Sequence, residues 1–225
     1  MNIVRGEWLL MPIYLHRVLG LTNFLPQFRL AQDYPAVMRE QLGNRLPPFT
    51  QEEFQLLGEA PVDFYGMNYY TCQYAKHLTA PAPDTDCKGN VEETQESKAG
   101  TPMGEKAGIF WLQSVPAGFR KHLARIYKKY GKTIYITENG CPCPGEDKMT
   151  KEQSVDDDFR QRYFLDHLDA IVGATQDGAK VAGYFAWSLM DNLGESPRLT
   201  ALETPLFFTS LVNFVVFRAF ADLKF

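Results

Sequence analysis

Two stretches of the chain space their apolar residues as amphipathic helices do. Phe119, Leu123 and Ile126 share one face of a predicted helix over residues 116–130, with Arg and Lys residues on a solvated face. A second predicted helix begins at the acidic run Asp156-Asp157-Asp158, and its apolar stripe consists of Phe159, Tyr163, Phe164, His167, Leu168 and Ile171. Negative charge in the first turn complements the helix dipole, so the aspartates need no metal to explain them.

Strands are predicted before, between and after these helices. Ile134-Tyr-Ile-Thr137 alternates β-branched and aromatic residues, and Asn139-Gly140 is a strong turn signal. Glu138 should therefore project from the carboxyl end of a strand. Residues 63–71 and 181–189 are the other two predicted strands. Strands that alternate with helices in this way form a parallel sheet, which places the chain in the α/β class.

Further segments are predicted outside this alternation. Residues 33–42 favour a short helix that Gly43 would end, and Thr50-Gln-Glu-Glu53 is typical of a capping box that starts another helix. Residues 80–108 are rich in Pro, Gly, Thr, Glu and Lys and lack apolar periodicity. We therefore expect a long surface loop there.

Three segments resemble, in the right order, parts of the family 1 glycoside hydrolases, the retaining β-glucosidases. Thr137-Glu-Asn-Gly140 matches their nucleophile motif, Asp63 to Thr71 is similar to their sixth barrel strand, and Gly183 to Asn192 to their eighth. The connecting segments are similar to fungal members, so the resemblance covers residues 33–192. It implies a partial (β/α)8 TIM barrel made of about the last three βα units, whose carboxyl strand ends face the active site.

The resemblance assigns roles to four residues. Glu138 is the expected nucleophile, Tyr70 would reach its carboxylate through the phenolic hydroxyl, and Asn68 lies on the same strand as Tyr70. Trp187 would form an apolar platform under the sugar ring. Without the motifs, Tyr70 would be interpreted as a packed strand aromatic and Trp187 as a core residue, as Trp111 is.

The acid/base partner of the nucleophile is missing from the sequence. Retaining glycosidases need two carboxyl groups about 5 Å apart, whereas the family's Asn-Glu-Pro motif occurs nowhere in the chain. The sequence is therefore consistent with two alternative functions. One is a retaining β-glucosidase that acts on β-linked glucosides or short oligosaccharides through a covalent glycosyl-enzyme on Glu138. The other is a truncated, catalytically inactive half-barrel that is at most a weak sugar binder.

Two stretches depart from the family pattern. Residues 16–30 interrupt an otherwise similar passage, and Leu193-Gly-Glu195 stands where the family has Phe-Glu-Trp, so Glu195 receives no sugar-binding role. We expect residues 1–192 to be the carboxyl-terminal part of a catalytic barrel, with a foreign insertion at 16–30. Residues 193–225 would be a poorly ordered tail outside the family. We hypothesise that both foreign stretches are translated introns.

Composition and charge exclude other classes of partner. The 225 residues carry a net charge of −4 without the clustered Lys and Arg of a nucleic-acid surface. An apolar run at residues 205–217 is too short to span a bilayer. We predict a β-glucoside or oligosaccharide as substrate, no nucleic acid, no membrane and no cofactor. Because the first residues lack the pattern of a secretory signal, we expect the protein to be cytoplasmic.

The cysteines and histidines do not form a predicted metal site. Cys72, Cys87, Cys141 and Cys143 are expected to be reduced thiols, because the chain is neither short nor rich in cysteine. Cys141-Pro-Cys143 lacks the spacing of a structural zinc site. The four histidines are scattered, and we expect them in solvated or core-edge places. No metal is predicted.

Overall fold

The computed structural model describes residues 9–12, 34, 39–40, 43–59, 62–79 and 91–188. The expected insertion at residues 16–30 and the expected tail at residues 193–225 lie outside these segments. Most of the helix expected within residues 33–42 does so too. Asn192, Glu195 and Cys87 are likewise outside the described residues, so the expectations for them remain predictions.

The described segments alternate between short strands and helices. In chain order they are β1 Leu9–Pro12, α1 Gln51–Glu59, β2 Phe64–Asn68, β3 Cys72–His77, β4 Val91–Thr94, β5 Glu105–Lys106, β6 Gln113–Ser114, α2 Pro116–Tyr130, β7 Thr133–Asn139, α3 Lys151–Val155, α4 Asp158–Gln176 and β8 Val181–Ala186. Two short 3-10 helices occupy Gly43–Arg45 and Glu146–Lys148. No helix in these segments is long and apolar enough to cross a membrane.

The helix ends follow the signals in the sequence. The capping box before α1 is confirmed, because Thr50 Oγ1 accepts from Glu53 N at 3.2 Å and Thr50 N donates to Glu53 Oε2 at 2.8 Å. The carboxylate of Asp157 caps α4 by accepting from Arg160 N at 3.2 Å. Gly131 ends α2 in the left-handed conformation, with φ of 63°, which a residue with a side chain adopts only at a cost.

A parallel sheet of three strands forms the centre of the fold. β2, β7 and β8 lie side by side in that order, as the alternation of strands and helices predicts. The chain passes through α2 between β2 and β7 and through α4 between β7 and β8, and these helices contact each other. An irregularity after Met67 brings Asn68 opposite Glu138. The carboxyl ends of the strands therefore meet at one edge of the sheet.

One face of this sheet packs against α2 and α4. The buried side chains of this core include Tyr65, Met67, Ile134, Ile136, Val181 and Tyr184 from the sheet and Phe119, Leu123, Ile126, Ala170, Ile171 and Ala174 from the helices. Successive strand residues point to opposite faces. Phe64 and Phe185, each next to a core residue, are accordingly 53% and 45% exposed on the other face, here called the open face.

His167 lies deeper than the sequence suggested. We expected the histidines in solvated or core-edge places, whereas His167 is fully buried in α4. Its ring stacks on Tyr163 with centroids 4.0 Å apart, and Nδ1 lies 2.7 Å from the backbone oxygen of Tyr163. The expectation for His167 was wrong because its local hydrogen bond to the preceding turn offsets part of the cost of burial.

The segment between β2 and α2 also differs from the prediction. The long loop expected at residues 80–108 is wrong for residues 91–94, which form β4 and pair antiparallel with β3, and for residues 105–106, which form β5 and pair with β6. The strand expected over residues 63–71 ends at Asn68, and β3 starts at Cys72. Polar strands of this kind are held by backbone hydrogen bonds, which leave no apolar periodicity in the sequence.

Candidate active site

Glu138 lies at the carboxyl end of β7, as predicted. Its side chain is half-buried, and its backbone oxygen accepts from Tyr69 N at 2.9 Å. The carboxylate oxygen Oε2 accepts a hydrogen bond from the hydroxyl of Tyr70 at 2.7 Å. The structure thus brings together the two residues that the resemblance placed side by side.

Tyr70 is held in place through both its ring and its backbone. Its side chain is buried, its ring meets Trp111 edge-on with centroids 6.2 Å apart, and its backbone oxygen accepts from the hydroxyl of Tyr163 at 3.0 Å. Trp111 is half-buried beside the site, instead of deep in the core as predicted. The hydroxyl of Tyr70 is therefore directed at Glu138 by packing on one side and by a buried hydrogen bond on the other.

Asn68 stands opposite Glu138 at the end of β2. Its side-chain oxygen accepts a hydrogen bond from the hydroxyl of Thr137 at 2.5 Å. This contact joins the ends of β2 and β7 on the open face. The amide of Asn68 is thereby fixed beside β7 through Thr137, and its predicted catalytic role stays a prediction.

Trp187 follows β8 directly and is fixed to β7 through its backbone. Its N–H donates to the backbone oxygen of Asn139 at 2.8 Å, and its side chain is 41% exposed. A Cβ atom at Gly140 would lie 1.9 Å from the carbonyl oxygen of Trp187. Glycine is therefore required at position 140 because the two backbones approach closely. The requirement does not come from a left-handed backbone, since the φ of Gly140 is not in that region.

The role of Asn139 was missed in the sequence, where Asn139-Gly140 was interpreted as a turn signal. Asn139 is instead the last residue of β7, and its side chain is fully buried. The amide nitrogen donates to Tyr69 O at 2.8 Å and to the hydroxyl of Tyr163 at 3.0 Å, and the amide oxygen accepts from Tyr184 Oη at 2.7 Å. Two tyrosines on the buried faces of α4 and β8 were the available signal, because a buried phenol requires a hydrogen-bond partner.

A partly buried ion pair holds the loop that follows Gly140. Arg160 of α4 binds Glu146 Oε2 at 2.5 Å and also pairs with the buried carboxylate of Asp157. Glu146 Oε2 also accepts from Cys143 N at 3.2 Å. These contacts attach residues 143–146 to the start of α4, so the loop after Gly140 has a fixed course.

The buried tyrosines and cysteines around the site are kept neutral by burial. Burial raises the pKa of Tyr163 and of Tyr184 well above the usual range of tyrosine, so both phenols remain hydrogen-bond donors. Burial likewise raises the pKa of Cys72 to about 11, with a smaller opposite effect from its hydrogen bond to Tyr69. Cys72, Cys141 and Cys143 are free cysteines, and raised thiol pKa values make them poor nucleophiles. Within the described segments, no group of His, Cys, Asp and Glu side chains is arranged to hold a metal.

Comparison with known proteins identifies the family. The sequence profile of Glycosyl hydrolase family 1 matches residues 16–200, which is most of the chain. The chain belongs to glycosyl hydrolase family 1. Among family 1 relatives, Beta-glucosidase 1B of Phanerodontia chrysosporium is 42% identical over 160 residues, which cover 71% of this chain and 29% of the relative.

Solved structures of family 1 enzymes agree with the observed fold. Beta-glucosidase 2 of the fungus Trichoderma reesei, in complex with Tris, is 48% identical with a TM-score of 0.69, and the match covers 72% of this chain and 35% of that one. A rice β-glucosidase mutant in a covalent complex with Glc is 33% identical with a TM-score of 0.64, over 71% of this chain and 34% of that one. The chain therefore spans about a third of the length of the family 1 proteins it matches.

Proposed function

We propose that this chain carries the nucleophile of a retaining β-glucosidase and that Glu138 forms the covalent glycosyl-enzyme. The observation that supports the proposal most strongly is the hydrogen bond of 2.7 Å from Tyr70 Oη to Glu138 Oε2 at the carboxyl end of a parallel strand. A hydroxyl that donates to one carboxylate oxygen orients the group and leaves the other oxygen free to attack. Active sites of β/α barrels lie at this end of the strands.

The proposed reaction begins with attack of Glu138 on the anomeric carbon. Tyr70 holds Oε2, which leaves Oε1 to form the new carbon–oxygen bond while the bond to the leaving oxygen breaks. The product is a glycosyl ester of Glu138 with inverted configuration. Water then attacks the same carbon, the ester bond breaks, and the carboxylate is released with net retention, while the proton lost by the water passes to the acid/base partner or to solvent.

Substrate binding is proposed to involve Trp187 and Asn68. The indole of Trp187 is 41% exposed at the end of β8, where its flat face is available to the axial C–H groups of a sugar. Asn68, held by Thr137, offers a neutral amide beside the nucleophile's strand. A neutral glucoside needs no charged partner, and the β-glucosidase names of the relatives, including the rice protein in a covalent complex with Glc, support glucose as the bound sugar.

The acid that protonates the leaving oxygen is proposed to be absent from this chain. The sequence contains no Asn-Glu-Pro, which is the motif that carries this group in the resembled family. Without this acid, glucosides with poor leaving groups would not be cleaved by this chain alone, because their departure needs general acid catalysis.

We also propose that β2, β7 and β8 are the last three strands of the (β/α)8 barrel that family membership implies.

The second candidate is an inactive half-barrel. The observation in its favour is the open face, where Phe64 and Phe185 are about half exposed, since an enclosed barrel interior would bury such side chains. Under this alternative the carboxylate and Tyr70 are placed as described but the sugar is never bound productively. The two candidates differ in whether a substrate that needs no acid can react at Glu138.

A trapping experiment distinguishes them. The chain is incubated with 2,4-dinitrophenyl 2-deoxy-2-fluoro-β-glucoside, whose leaving group departs without an acid and whose fluorine slows hydrolysis of the ester. The proposal predicts a fluoroglucosyl adduct on the peptide that contains Glu138, absent in Glu138→Gln and retained in the matched control Glu52→Gln, which changes an exposed glutamate on α1. An adduct on another residue would refute the nucleophile assignment, and no adduct would favour the inactive half-barrel.

A further inference from the structure

Asn139 joins three separate elements beside the proposed nucleophile. Its amide nitrogen donates to the chain just after β2, at Tyr69 O, and to Tyr163 of α4, while its amide oxygen accepts from Tyr184 of β8. The side chain is 0% exposed, so these partners replace water completely. A buried amide with all of its strong hydrogen-bonding groups engaged has little freedom to rotate.

The donors and acceptors of this network permit one consistent arrangement. Both N–H groups of Asn139 are used, which leaves the hydroxyl hydrogen of Tyr163 to donate to Tyr70 O at 3.0 Å. The hydroxyl hydrogen of Tyr184 must then donate to the amide oxygen at 2.7 Å. Turning the amide over would place its oxygen against Tyr69 O, where two acceptors repel, and beside the Tyr163 hydroxyl, whose single hydrogen cannot serve both that oxygen and Tyr70 O. Two hydrogen bonds would be lost together.

The network binds the backbone at Tyr69 and Tyr70, beside the contact between the Tyr70 hydroxyl and Glu138. The backbone oxygens of Tyr69 and Tyr70 are bound by Asn139 and Tyr163, and Tyr69 N donates to the backbone oxygen of Glu138 at 2.9 Å. The backbone that carries Tyr70 is thereby tied to the backbone that carries Glu138. Together with the packing of the Tyr70 ring on Trp111, these backbone hydrogen bonds place the Tyr70 hydroxyl relative to the Glu138 carboxylate, although they touch neither group.

We infer that Asn139, Tyr163 and Tyr184 are positioning residues, which hold the Tyr70 hydroxyl on the Glu138 carboxylate through the backbone at residues 69–70. The catalytic meaning of this inference rests on the proposed function, although the positioning itself does not. The competing explanation is that the three side chains only fill and stabilise the core. A measurement that follows the Tyr70 hydroxyl separates positioning from stability.

The test uses the full chain labelled with ¹³C at Cζ of tyrosine, whose chemical shift reports hydrogen bonding of the phenol. Tyr70→Phe identifies the Tyr70 signal, and Glu138→Ala gives its position without the carboxylate. Tyr184→Phe and Tyr163→Phe each remove one network hydroxyl, and Asn139→Ala removes the centre. The matched control is Tyr65→Phe, which removes a buried phenol at the other end of β2, where the ring stacks on Tyr130.

Positioning predicts that Tyr184→Phe and Tyr163→Phe move the Tyr70 signal toward its position in Glu138→Ala, whereas Tyr65→Phe leaves it unchanged. The inference is overturned if both network variants lower the melting temperature but leave the Tyr70 signal where the parent chain has it. If Asn139→Ala does not fold, the two tyrosine variants still decide the question.

Trapping with the 2-fluoroglucoside in the same variants separates this inference from the proposed function. We expect the labelling rate of Glu138 to fall roughly tenfold to a hundredfold in Tyr184→Phe, since small displacements of a reacting group carry costs of this size. If the Tyr70 signal responds as predicted while even the parent chain is never labelled, the positioning network stands and the hydrolase proposal fails.

Discussion

The two faces of the parallel sheet have opposite characters. The face toward α2 and α4 buries Ile134, Ile136 and Tyr184 in a continuous apolar core, whereas the open face presents the half-exposed rings of Phe64 and Phe185. The proposed nucleophile, Glu138, lies at the carboxyl end of β7, where both faces of the sheet end. The difference indicates that the helix-covered face holds the strands in register, while the open face and the strand ends hold the groups available for chemistry. Substitutions on the two faces should therefore have separable effects.

The largest predicted difference is between neighbouring residues of β7. Ile136→Ala should lower the free energy of unfolding by about 2–5 kcal/mol, because Ile136 is fully buried and its truncation leaves a cavity. Thr137→Ala on the open face should cost about 1 kcal/mol or less, which is the net value of one exposed hydrogen bond to Asn68. Urea unfolding of both variants measures the difference, and equal losses would contradict the assignment of the faces.

The helix-covered side should also be sensitive to acid through His167. Burial lowers the pKa of His167 to about 4, so the native state favours the neutral ring. Its contribution to stability is complete above the unfolded pKa of about 6.5 and is lost as the pH falls toward 4, a total of about 3 kcal/mol.

His167→Phe isolates this contribution, because it keeps a ring against Tyr69, Phe119 and Tyr163. The unfolding free energy of the variant should fall less steeply than that of the parent chain between pH 6.5 and 4. Parallel curves would show that His167 takes up no proton on unfolding in this range.

A pair of glycines tests the junction of the strand ends. Gly140→Ala should cost about 1–3 kcal/mol, because the new Cβ would lie 1.9 Å from Trp187 O and force β7 and β8 apart. Gly66→Ala on β2 should change stability by about 0.5 kcal/mol or less, because its Cβ would meet Thr137 Cγ2 at an ordinary 3.6 Å. Thermal unfolding compares the two variants. Similar melting temperatures would contradict the close approach at Gly140.

The smallest effect on stability, and a clear effect on association, is expected on the open face. Phe185→Ser should leave the free energy of unfolding within about 0.5 kcal/mol, because the ring is 45% exposed. The same change should reduce self-association measured by sedimentation velocity, since exposed aromatic surface promotes contact between molecules. Leu165→Ser is the matched control, because Leu165 is also exposed but lies on α4 away from the sheet. A larger reduction in the control would show that the open face does not mediate association.

The sequence predicted the parts of this fold that leave a periodic or motif signal. The helices α2 and α4, the strand that carries Glu138 and the cap at Thr50 are confirmed, because apolar spacing and capping chemistry are local. The pairing of β3 with β4 was missed, since Val91-Glu-Glu-Thr94 carries one apolar residue and therefore lacks the alternation that marks a strand. Strand pairing of this kind is formed by backbone hydrogen bonds, which do not require a particular side-chain pattern.

The candidate site divides in the same way. The Tyr70 to Glu138 contact was expected from the family resemblance, whereas the network around Asn139 was not. Asn139 was interpreted from its neighbour Gly140 as part of a turn, although its amide is buried among groups up to 70 residues away in sequence. A buried polar network of this kind forms only when three elements pack together, so no local sequence pattern predicts it. The same holds for the close approach of Gly140 to Trp187.

The central claim is that Glu138 acts as a nucleophile in a chain without its acid/base partner. The most direct measurement is the product formed from 2,4-dinitrophenyl β-glucoside in the presence of azide, which attacks without base assistance. Double displacement through Glu138 predicts β-glucosyl azide, formed by the parent chain and by Glu52→Gln but not by Glu138→Ala. Formation of α-glucosyl azide by the parent chain, or of the β product by Glu138→Ala, would contradict the account.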